Sequence, residues 1–589
     1  MTLQLARPHT FHIPVLGIGF SVDTPLKVAQ FGISSVISII EDELLEHLRA
    51  KHCQQFNVPF TSVPLKGPEC RASRITAYLN QLQDLVASQL EKLKNSSFDI
   101  NPNLGKYFDL LPEKSPLKSL YLMMKGTSSK AEKEKLEEDL IAAIVPGSID
   151  INIMAKVDNA RYDEQGVKLP DEYSDALSAL RGFAQSKLAS SIVFSAGYNP
   201  RLYNYAEQFP DFYPDENGYL KKKIILKVSD YRSALVQGKI FAKKGLWVSE
   251  FRVESGLNCG GHAFPTDGLL FGPILEEFKN SRKALSEELF AMCNAALEAK
   301  GHHVFQECPA QFISAQGGIG NGEEHQFLLD YYGLDSAGWG SPFLLVPEAT
   351  NVEEKTLDQL SVAKKEDYFL SNASPLGVPF NNFRPSTSEA QRKNRIAKNR
   401  PGSPCYKKYL SSNTEFTDEP ICTASRQYQN LKIKQLRAQE LPELELEKAI
   451  AKVEEKDCLC EGLTASVQLK NDMAIPHKLD AVAICPGPNL AYFSGVFSLQ
   501  QMVGHIYGRE NLLNKVPRPN MFINELQMYI TYLKKEMAEG PSNEKTQRHH
   551  QKFQNNLLAG IQYYRGIAPE WKDGEEMLGQ LNEMEAELS

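Results

Sequence analysis

The sequence of 589 residues contains no long apolar run, and its mean hydropathy is −0.35. A membrane-spanning helix needs about 20 consecutive apolar residues, so we expect no membrane partner. The opening stretch MTLQLARPHTFHIPVLG also lacks the charged, apolar and cleavage regions of a secretory signal. We therefore expect a cytoplasmic protein whose ten cysteines are thiols, metal ligands or catalytic groups rather than structural disulfides.

The chain also lacks an excess of positive charge. It has 65 Lys and Arg residues against 73 Asp and Glu residues, which gives a net charge of −8 at pH 7. Such an acidic balance is not typical of a protein that coats nucleic acid, so we do not expect a nucleic-acid partner. With 42% hydrophobic and 23% charged residues, the composition excludes disorder for most of the chain. The sequence leaves the oligomeric state open.

Short apolar segments alternate with helical segments through the first 340 residues. The predicted strands cover residues 13–20, 35–40, 148–154, 191–194, 223–228, 246–251, 311–315 and 335–338. Segments of this kind, β-branched and almost continuously apolar, are typical of parallel strands that are buried on both faces. Eight such alternations predict an α/β fold, a (β/α)8 TIM barrel. An open, doubly wound sheet is the alternative.

The remaining segments suggest three regions. Residues 1–350 form the predicted barrel, with a helical insertion over about 60–147, where apolar residues recur at helical spacing. Residues 351–480 mix short helices with loops and contain four of the ten cysteines. Residues 481–589 are predicted to be mostly helical. We therefore expect one enlarged barrel followed by a cysteine-containing region and a helical C-terminal region.

Three glycine clusters follow predicted strands, where a barrel of this kind carries its active site. The first, ESGLNCGGHAF, contains Gly260 and Gly261, which let a ligand come close to the backbone, and His262, a candidate acid or base. The second, AQGGIGNG, contains Gly317 and Gly318 and precedes a helix start at Glu323, which favours phosphate binding. The third, GWGSPF, contributes Gly338, Gly340 and Ser341.

The run of residues 246–343 resembles the flavin-binding barrels of the nitronate monooxygenase family, which includes flavin-dependent enoyl-acyl-carrier-protein reductases. Glutamate followed by glycine-glycine-histidine, a GGI loop and a second glycine loop carry the resemblance. It implies FMN, with its phosphate on the second and third glycine loops and His262 as proton donor or acceptor. It also implies flavin contacts by Gly17 and Gly19 of the opening segment, by Asn152 and by Lys227. Together these matches cover most of residues 10–350.

Four cysteines lie close together in the sequence of the second region: Cys405, Cys422, Cys458 and Cys460. Four thiolates suit a [4Fe–4S] cluster or a zinc ion, although the spacing lacks the paired motifs of a zinc knuckle. Four unrelated cysteines are the third interpretation. An iron–sulfur cluster beside a flavin would serve as an electron relay. Cys259, next to the first glycine pair, is either an active-site thiol or packs behind its loop.

A basic run over residues 384–408 contains eight Lys and Arg residues opposed by a single glutamate. It favours an anionic substrate, such as an acyl group on a carrier protein or a coenzyme A thioester, unless the run is a solvated loop. The sequence thus predicts an FMN-dependent oxidoreductase acting on a small or thioester-linked substrate. Monooxygenase and enoyl-thioester reductase chemistry both remain open. Two further alternatives remain open: a non-redox enzyme that binds a phosphorylated metabolite, and an interaction protein with a vestigial barrel.

Overall fold

The computed structural model describes residues 7–64, 66–154, 158–195, 197–475, 477, 479–538 and 543–588. Eight parallel strands pair in sequence order, and the first also pairs with the eighth, which closes a barrel. The strands are β1 (Phe11–Ile13), β2 (Ser34–Ser38), β3 (Ile149–Asn152), β4 (Ser190–Phe194), β5 (Lys222–Val228), β6 (Val248–Glu254), β7 (Phe312–Gln316) and β8 (Ser336–Gly338). The predicted (β/α)8 barrel is confirmed, and the open sheet is excluded by this closure.

Helices surround the barrel and build the rest of the chain. Those before β8 are α1 (Thr24–Val28), α2 (Asp42–Phe56), α3 (Cys70–Lys94), α4 (Pro102–Leu110), α5 (Pro116–Gly126), α6 (Lys130–Ala143), α7 (Asp175–Gln185), α8 (Pro200–Ala206), α9 (Tyr231–Ala242), α10 (Phe271–Ala299) and α11 (Gly322–Asp330). Those after β8 are α12 (Glu354–Ser361), α13 (Thr387–Ala397), α14 (Arg426–Arg437), α15 (Glu443–Glu454), α16 (Leu459–Lys470), α17 (Leu499–Ile506), α18 (Met521–Ala538), α19 (Glu544–Ile567) and α20 (Gly574–Leu588). Short 3-10 turns connect several of them.

The first predicted strand is wrong in most of its length. The sequence predicts residues 13–20, but β1 ends at Ile13, because Pro14 has no N–H group to donate to a neighbouring strand. Gly17 then adopts a φ of +52°, which turns the chain out of the barrel. The amide of Gly19 donates to the carbonyl of Leu463 in α16 at 3.1 Å. This apolar stretch is therefore a buried loop under α16, whereas the other seven predicted strands overlap the observed ones.

The segment predicted as an insertion belongs to two apolar cores. α3 buries Ile75, Tyr78 and Leu79 in the same core as the barrel, so this helix is part of the ring around the strands. The end of α3 and the helices α4 to α6 enclose a separate core around Tyr107 and Phe108. Only this second group adds a layer outside the helical ring.

The lower interior of the barrel is charged. Arg252 of β6 lies 2.8 Å from Glu250 and 3.5 Å from Asp150 of β3, and Arg7 lies 2.8 Å from Glu250. Burial raises the pKa of Glu250, but the positive charges of Arg252 and Arg7 outweigh it and hold that pKa well below its ordinary value. Because side chains two residues apart share a face of a strand, Glu254 continues this row toward the carboxyl ends.

The region after the barrel folds back over its mouth. A hairpin of β9 (Tyr368–Ser371) and β10 (Phe380–Phe383) pairs in antiparallel fashion, and α16 packs on the loop that follows β1. The C-terminal helices α17 to α20 are predominantly buried along one face, in line with their predicted helical character. None of the described helices combines the length and the hydropathy that a membrane-spanning segment requires.

Candidate functional site

A cavity of about 270 Å³ opens at the carboxyl ends of the barrel strands. This volume lies near the lower end of the range of about 300–1,000 Å³ that is usual for small-molecule sites. The glycine clusters therefore lie at a concavity, at the end of the barrel where enzymes of this fold carry their active sites.

Most of the predicted site residues line this one cavity. They come from the ends of β3 and β5 to β8 and from the loops after β1, β6, β7 and β8. The lining residues among the predictions are Gly17, Asn152, Lys227, Gly260, Gly261, His262, Gly317, Gly318, Gly338, Gly340 and Ser341. Among the residues predicted to bind the flavin, Gly19 is the exception, since it packs against α16. Residues that are up to 324 positions apart in the sequence thus meet at a single site.

The floor of the cavity carries an ion pair. Lys227 Nζ lies 2.6 Å from Glu254 Oε2, and Gln316 Nε2 donates to Glu254 Oε1 at 2.8 Å. Burial raises the pKa of Glu254, but the charge of Lys227 outweighs it, so the pKa falls below its ordinary value and the group is a carboxylate. The floor therefore offers an ammonium and a carboxylate side by side, with the buried Asn152 nearby on β3.

The His262 loop is joined to the β9–β10 hairpin. The amide of Ala263 donates to the carbonyl of Pro379, and the amide of Asn381 donates to the carbonyl of Gly261, both at 2.9 Å. The ring of His262 lies edge-on to Phe380, with Nε2 2.7 Å from Ser374 Oγ. The second region of the chain therefore holds the candidate acid–base residue in its place over the cavity.

Several backbone amides at the glycine loops are available to a ligand. Among the described residues, no hydrogen-bond acceptor is found for the amides of Gly318, Gly340 or Ser341. The Ser341 hydroxyl accepts from the amide of Gly487 at 2.6 Å, which leaves its own proton free to donate. These groups form the donor set that a phosphate requires.

The start of α11, however, is not open to a phosphate as the sequence suggested. Glu324 is 2% exposed, and its Oε2 accepts from the amide of Gly320 at 2.7 Å. Its Oε1 accepts from the amide of Met521 and lies 2.6 Å from Arg518. The chain thus places one of its own carboxylates at this helix start, and the anion-binding groups are those of the loop before it.

Sequence analysis missed the upper wall of the cavity. This wall is apolar and comes from the region after the barrel. It includes Leu376, Phe380, Leu410, Leu459, Leu463 and Ile484. A turn with the sequence CPGPN completes it, because the carbonyl of Cys485 accepts from the amide of Gly261 at 3.1 Å. That turn is the one signal in the sequence that could have indicated the wall.

Cys259 combines features of both interpretations. It lines the cavity, but its thiol donates to the carbonyl of Gln316 at 3.5 Å and packs beneath the second glycine loop. Burial, followed by the charge of Glu254, raises the pKa of Cys259 well above its ordinary value. The thiol is therefore protonated at neutral pH and is a poor nucleophile in this state.

The four cysteines proposed as metal ligands lie near one another in the fold. The Cys422 thiol donates to the Cys405 sulfur, and this bond lowers the pKa of Cys405 to about 7. Burial raises the pKa of Cys458 to about 11. It also raises the pKa of Cys460, which lines the cavity. In the described part of the chain, no three His, Cys, Asp or Glu side chains are arranged to hold a metal ion. As they stand, these thiols do not fit a cluster, and we derive no chemistry from one.

The basic run does not reach the cavity. None of its eight Lys and Arg residues is among the described residues that line it. Lys407 instead lies 2.9 Å from Glu41, and Arg392 lies 2.9 Å from Glu389. This run therefore adds no side chain to the described cavity lining that could hold the anionic substrate favoured by the sequence, and Lys393, Lys398 and Arg400 are exposed.

Comparison with known proteins adds little beyond the fold. No protein-family model matches the chain, and no curated protein matches it by sequence. One similar solved structure is the enoyl reductase domain of MlnA from the macrolactin biosynthesis cluster of Bacillus amyloliquefaciens. It shares 12% identity, has a TM-score of 0.36, and is covered over 88% of its length by 82% of this chain. The fold assignment rests on the strand pairing of this chain itself.

Proposed function

We propose that this chain is an FMN-dependent oxidoreductase in which electrons pass between the flavin and an organic substrate, and His262 handles the proton. One observation carries the proposal: the strand-end segments whose sequences resemble those of flavin-binding barrels converge on one cavity at the carboxyl end of a closed barrel. The closed barrel brings the strand ends together by itself; what favours a site is that these ends carry the glycine loops and His262 around one cavity.

The groups that line the cavity fit a flavin mononucleotide. The amides of Gly318 and Gly340, which have no acceptor in the described part of the chain, and the Ser341 hydroxyl suit a phosphate monoester. Gln316, whose Nε2 donates to Glu254, also lines the cavity. The apolar upper wall suits a planar ring and an apolar part of the substrate.

Bound FMN would supply the redox chemistry, by accepting or releasing an electron pair. The residues of the chain would do the rest. Lys227 and Glu254 would set the electrostatic potential at the floor, while Asn152 would offer an amide to the ligand. His262, oriented by Ser374 and Phe380, would donate or accept a proton at a ring nitrogen. The upper wall would exclude water from the substrate.

The test is a visible absorption spectrum of the purified protein, recorded in air and without oxygen. We expect the two absorption bands of an oxidised flavin, and we expect FMN rather than FAD among the molecules that acid releases. His262→Ala should retain the flavin and lose turnover. A colourless protein would overturn the proposal and would favour a phosphorylated metabolite at the same amides. Undiminished turnover by His262→Ala would remove that residue from the mechanism.

The choice between the two redox subtypes needs substrates. An alkyl nitronate that consumes oxygen would identify a nitronate-type monooxygenase, whereas an α,β-unsaturated thioester reduced without oxygen would identify an enoyl-thioester reductase. In the described residues the apolar upper wall provides no cation for an anionic group, so the acyl or alkyl part of the substrate is the part that we place there. Comparing both substrates on one preparation separates the subtypes.

A further inference from the structure

Three consecutive carbonyl groups in the loop after β7 are held by side chains of the C-terminal region. We call these side chains, Asn489, His505 and Arg518, the carbonyl clamp. Arg518 Nη2 donates to the oxygen of Gly318 at 2.6 Å, Asn489 Nδ2 to that of Ile319 at 2.8 Å, and His505 Nε2 lies 2.8 Å from that of Gly320. The clamp is thus contributed from outside the barrel, 170 or more residues later in the chain.

The clamp is braced by its own contacts. Arg518 Nε donates to Asn489 Oδ1 at 2.7 Å, and the guanidinium also lies 2.6 Å from Glu324. The Arg518 side chain is only 5% exposed. A β-carbon on Gly320 would lie 2.3 Å from the guanidinium carbon, so only glycine permits this approach. An arginine that is buried, paired and given space by a glycine holds its position firmly.

The hydrogen bonds of His505 define which of its ring nitrogens carries the proton. The amide of Leu512 donates to Nδ1 at 3.2 Å, so Nδ1 accepts and Nε2 carries the hydrogen that it gives to Gly320. Burial lowers the pKa of His505, which keeps the ring neutral. The third clamp contact is therefore a neutral hydrogen bond.

Holding the Gly318 carbonyl turns the next amide of the loop, that of Ile319, to the other side. In a trans peptide the C=O and the following N–H point in opposite directions. Fixing the carbonyl of Gly318 on Arg518 therefore directs the N–H of Ile319 away from the clamp. Neither this amide nor that of Gly318 has an acceptor in the described part of the chain, and both residues line the cavity.

We propose that Asn489, His505 and Arg518 are positioning residues that make this loop an anion site, by presenting its amides to the phosphate of the bound flavin. The inference rests on the proposed function. Of the three clamp residues only Asn489 is among the described residues that line the cavity, and its amide group is already used by the Ile319 carbonyl and by Arg518. The charge of Arg518 is balanced by Glu324. The contribution of the clamp is therefore orientation of donors, which raises affinity for a phosphate without changing affinity for the ring.

The test compares dissociation constants for FMN and riboflavin, which lacks the phosphate, by quenching of flavin fluorescence. The main variant is Arg518→Gln combined with Glu324→Gln, because removing both charges avoids a buried unpaired carboxylate. Asn489→Ala is the second variant. In each we expect FMN binding to weaken at least about tenfold, the effect of one or two lost amide–phosphate bonds. Riboflavin binding should change less than about twofold.

The matched control is Arg509→Gln. Arg509 belongs to the same region but donates to the carbonyl of Leu111 and to Glu113, away from the cavity. It should leave both affinities unchanged. Equal weakening of FMN and riboflavin binding in the clamp variants would indicate a merely structural role and overturn the inference. Dissociation constants that stay at their wild-type values for both flavins would overturn it as well. A wild-type protein that binds neither flavin would overturn the proposed function, and the clamp's ligand with it.

Discussion

Lys227 Nζ lies 2.6 Å from Glu254 Oε2 at the carboxyl ends of two adjacent strands, β5 and β6, inside the cavity. Both charges are partly buried, and each neutralises the other. Removing either one would leave a single net charge at the floor, where screening by water is weak. This pair is therefore the part of the site from which the electrostatic behaviour of a bound cofactor can be predicted.

We predict that Glu254→Gln raises the reduction potential of the bound flavin and that Lys227→Met lowers it. The reduced flavin carries more negative charge than the oxidised one, so an unbalanced lysine favours it and an unbalanced glutamate opposes it. A shift of about 30 mV, equal to about 1.4 kcal/mol for two electrons, is the expected scale. Potentials are measured by titration against redox dyes.

The control for this pair is Glu288→Gln, which breaks the ion pair of Lys239 and Glu288 between α9 and α10, also 2.6 Å long. That pair lies on the helical ring, so the potential should not move. Shifts of the same sign in Glu254→Gln and Lys227→Met would contradict the assignment of the pair to the flavin site.

The site could be predicted from the sequence as far as local pattern reaches. Gly317, Gly318 and His262 stand in short segments whose chemistry is visible locally, and parallel strands bring their ends together. The clamp residue Arg518 has no local pattern, because it acts only through the fold. The prediction of the first strand is wrong because an apolar run does not distinguish a strand from a buried loop. Pro14 is the local signal against a strand, since proline has no N–H group to donate to a neighbouring strand.

The upper wall shows the same limit. The contact of Cys485 with Gly261 joins residues 224 positions apart, and neither residue type indicates the other. In the cysteine set, sequence proximity did anticipate spatial proximity, but it did not determine what the thiols bind. The chemistry of a short segment can thus be predicted from its sequence, whereas contacts between residues of distant segments depend on how the chain packs.

The iron–sulfur prediction has a direct test in metal analysis. A cluster would give iron and acid-labile sulfide in protein purified without oxygen, and both would be lost in Cys458→Ser combined with Cys460→Ser. From the arrangement of these thiols in the described chain we expect neither. Cys293→Ser is the control, because Cys293 is buried in α10 away from the set. Zinc without sulfide would favour the zinc alternative, and metal-free wild-type protein would leave four thiols with no ligand role.

Arg252 should be needed for stability rather than for flavin binding. Its removal leaves Glu250 and Asp150 buried, with Arg7 as the remaining cation beside Glu250. We predict that Arg252→Met lowers the free energy of unfolding by about 3–5 kcal/mol, as expected when one partner of a buried ion pair is lost. Urea unfolding measures it. Arg548→Met, at an exposed helical position, should change stability by less than about 0.5 kcal/mol.

Glu525 of α18 gives the protein a pH-dependent stability. The carboxyl group is buried, with Ser255 and the amide of Phe271 donating to it. Burial raises its pKa to about 7 from the ordinary 4.5, although those two hydrogen bonds act in the opposite direction. Between these two values the folded protein keeps a proton that the unfolded chain has released. The contribution of Glu525 to stability is therefore greatest below pH 4.5 and falls as the pH rises toward 7.

Glu525→Gln should remove that loss, because the amide group is neutral at every pH and can still accept from Phe271 while donating to Ser255. At pH 5 wild type and variant should unfold at similar urea concentrations. At pH 8 the variant should be more stable, by about 3 kcal/mol if the whole shift is expressed. Glu536→Gln, at an exposed position of the same helix, should show no such difference. A wild-type protein whose stability rises from pH 5 to pH 8 relative to Glu525→Gln would contradict this prediction, because it would mean that the hydrogen bonds from Ser255 and Phe271 outweigh burial and keep the carboxyl ionised.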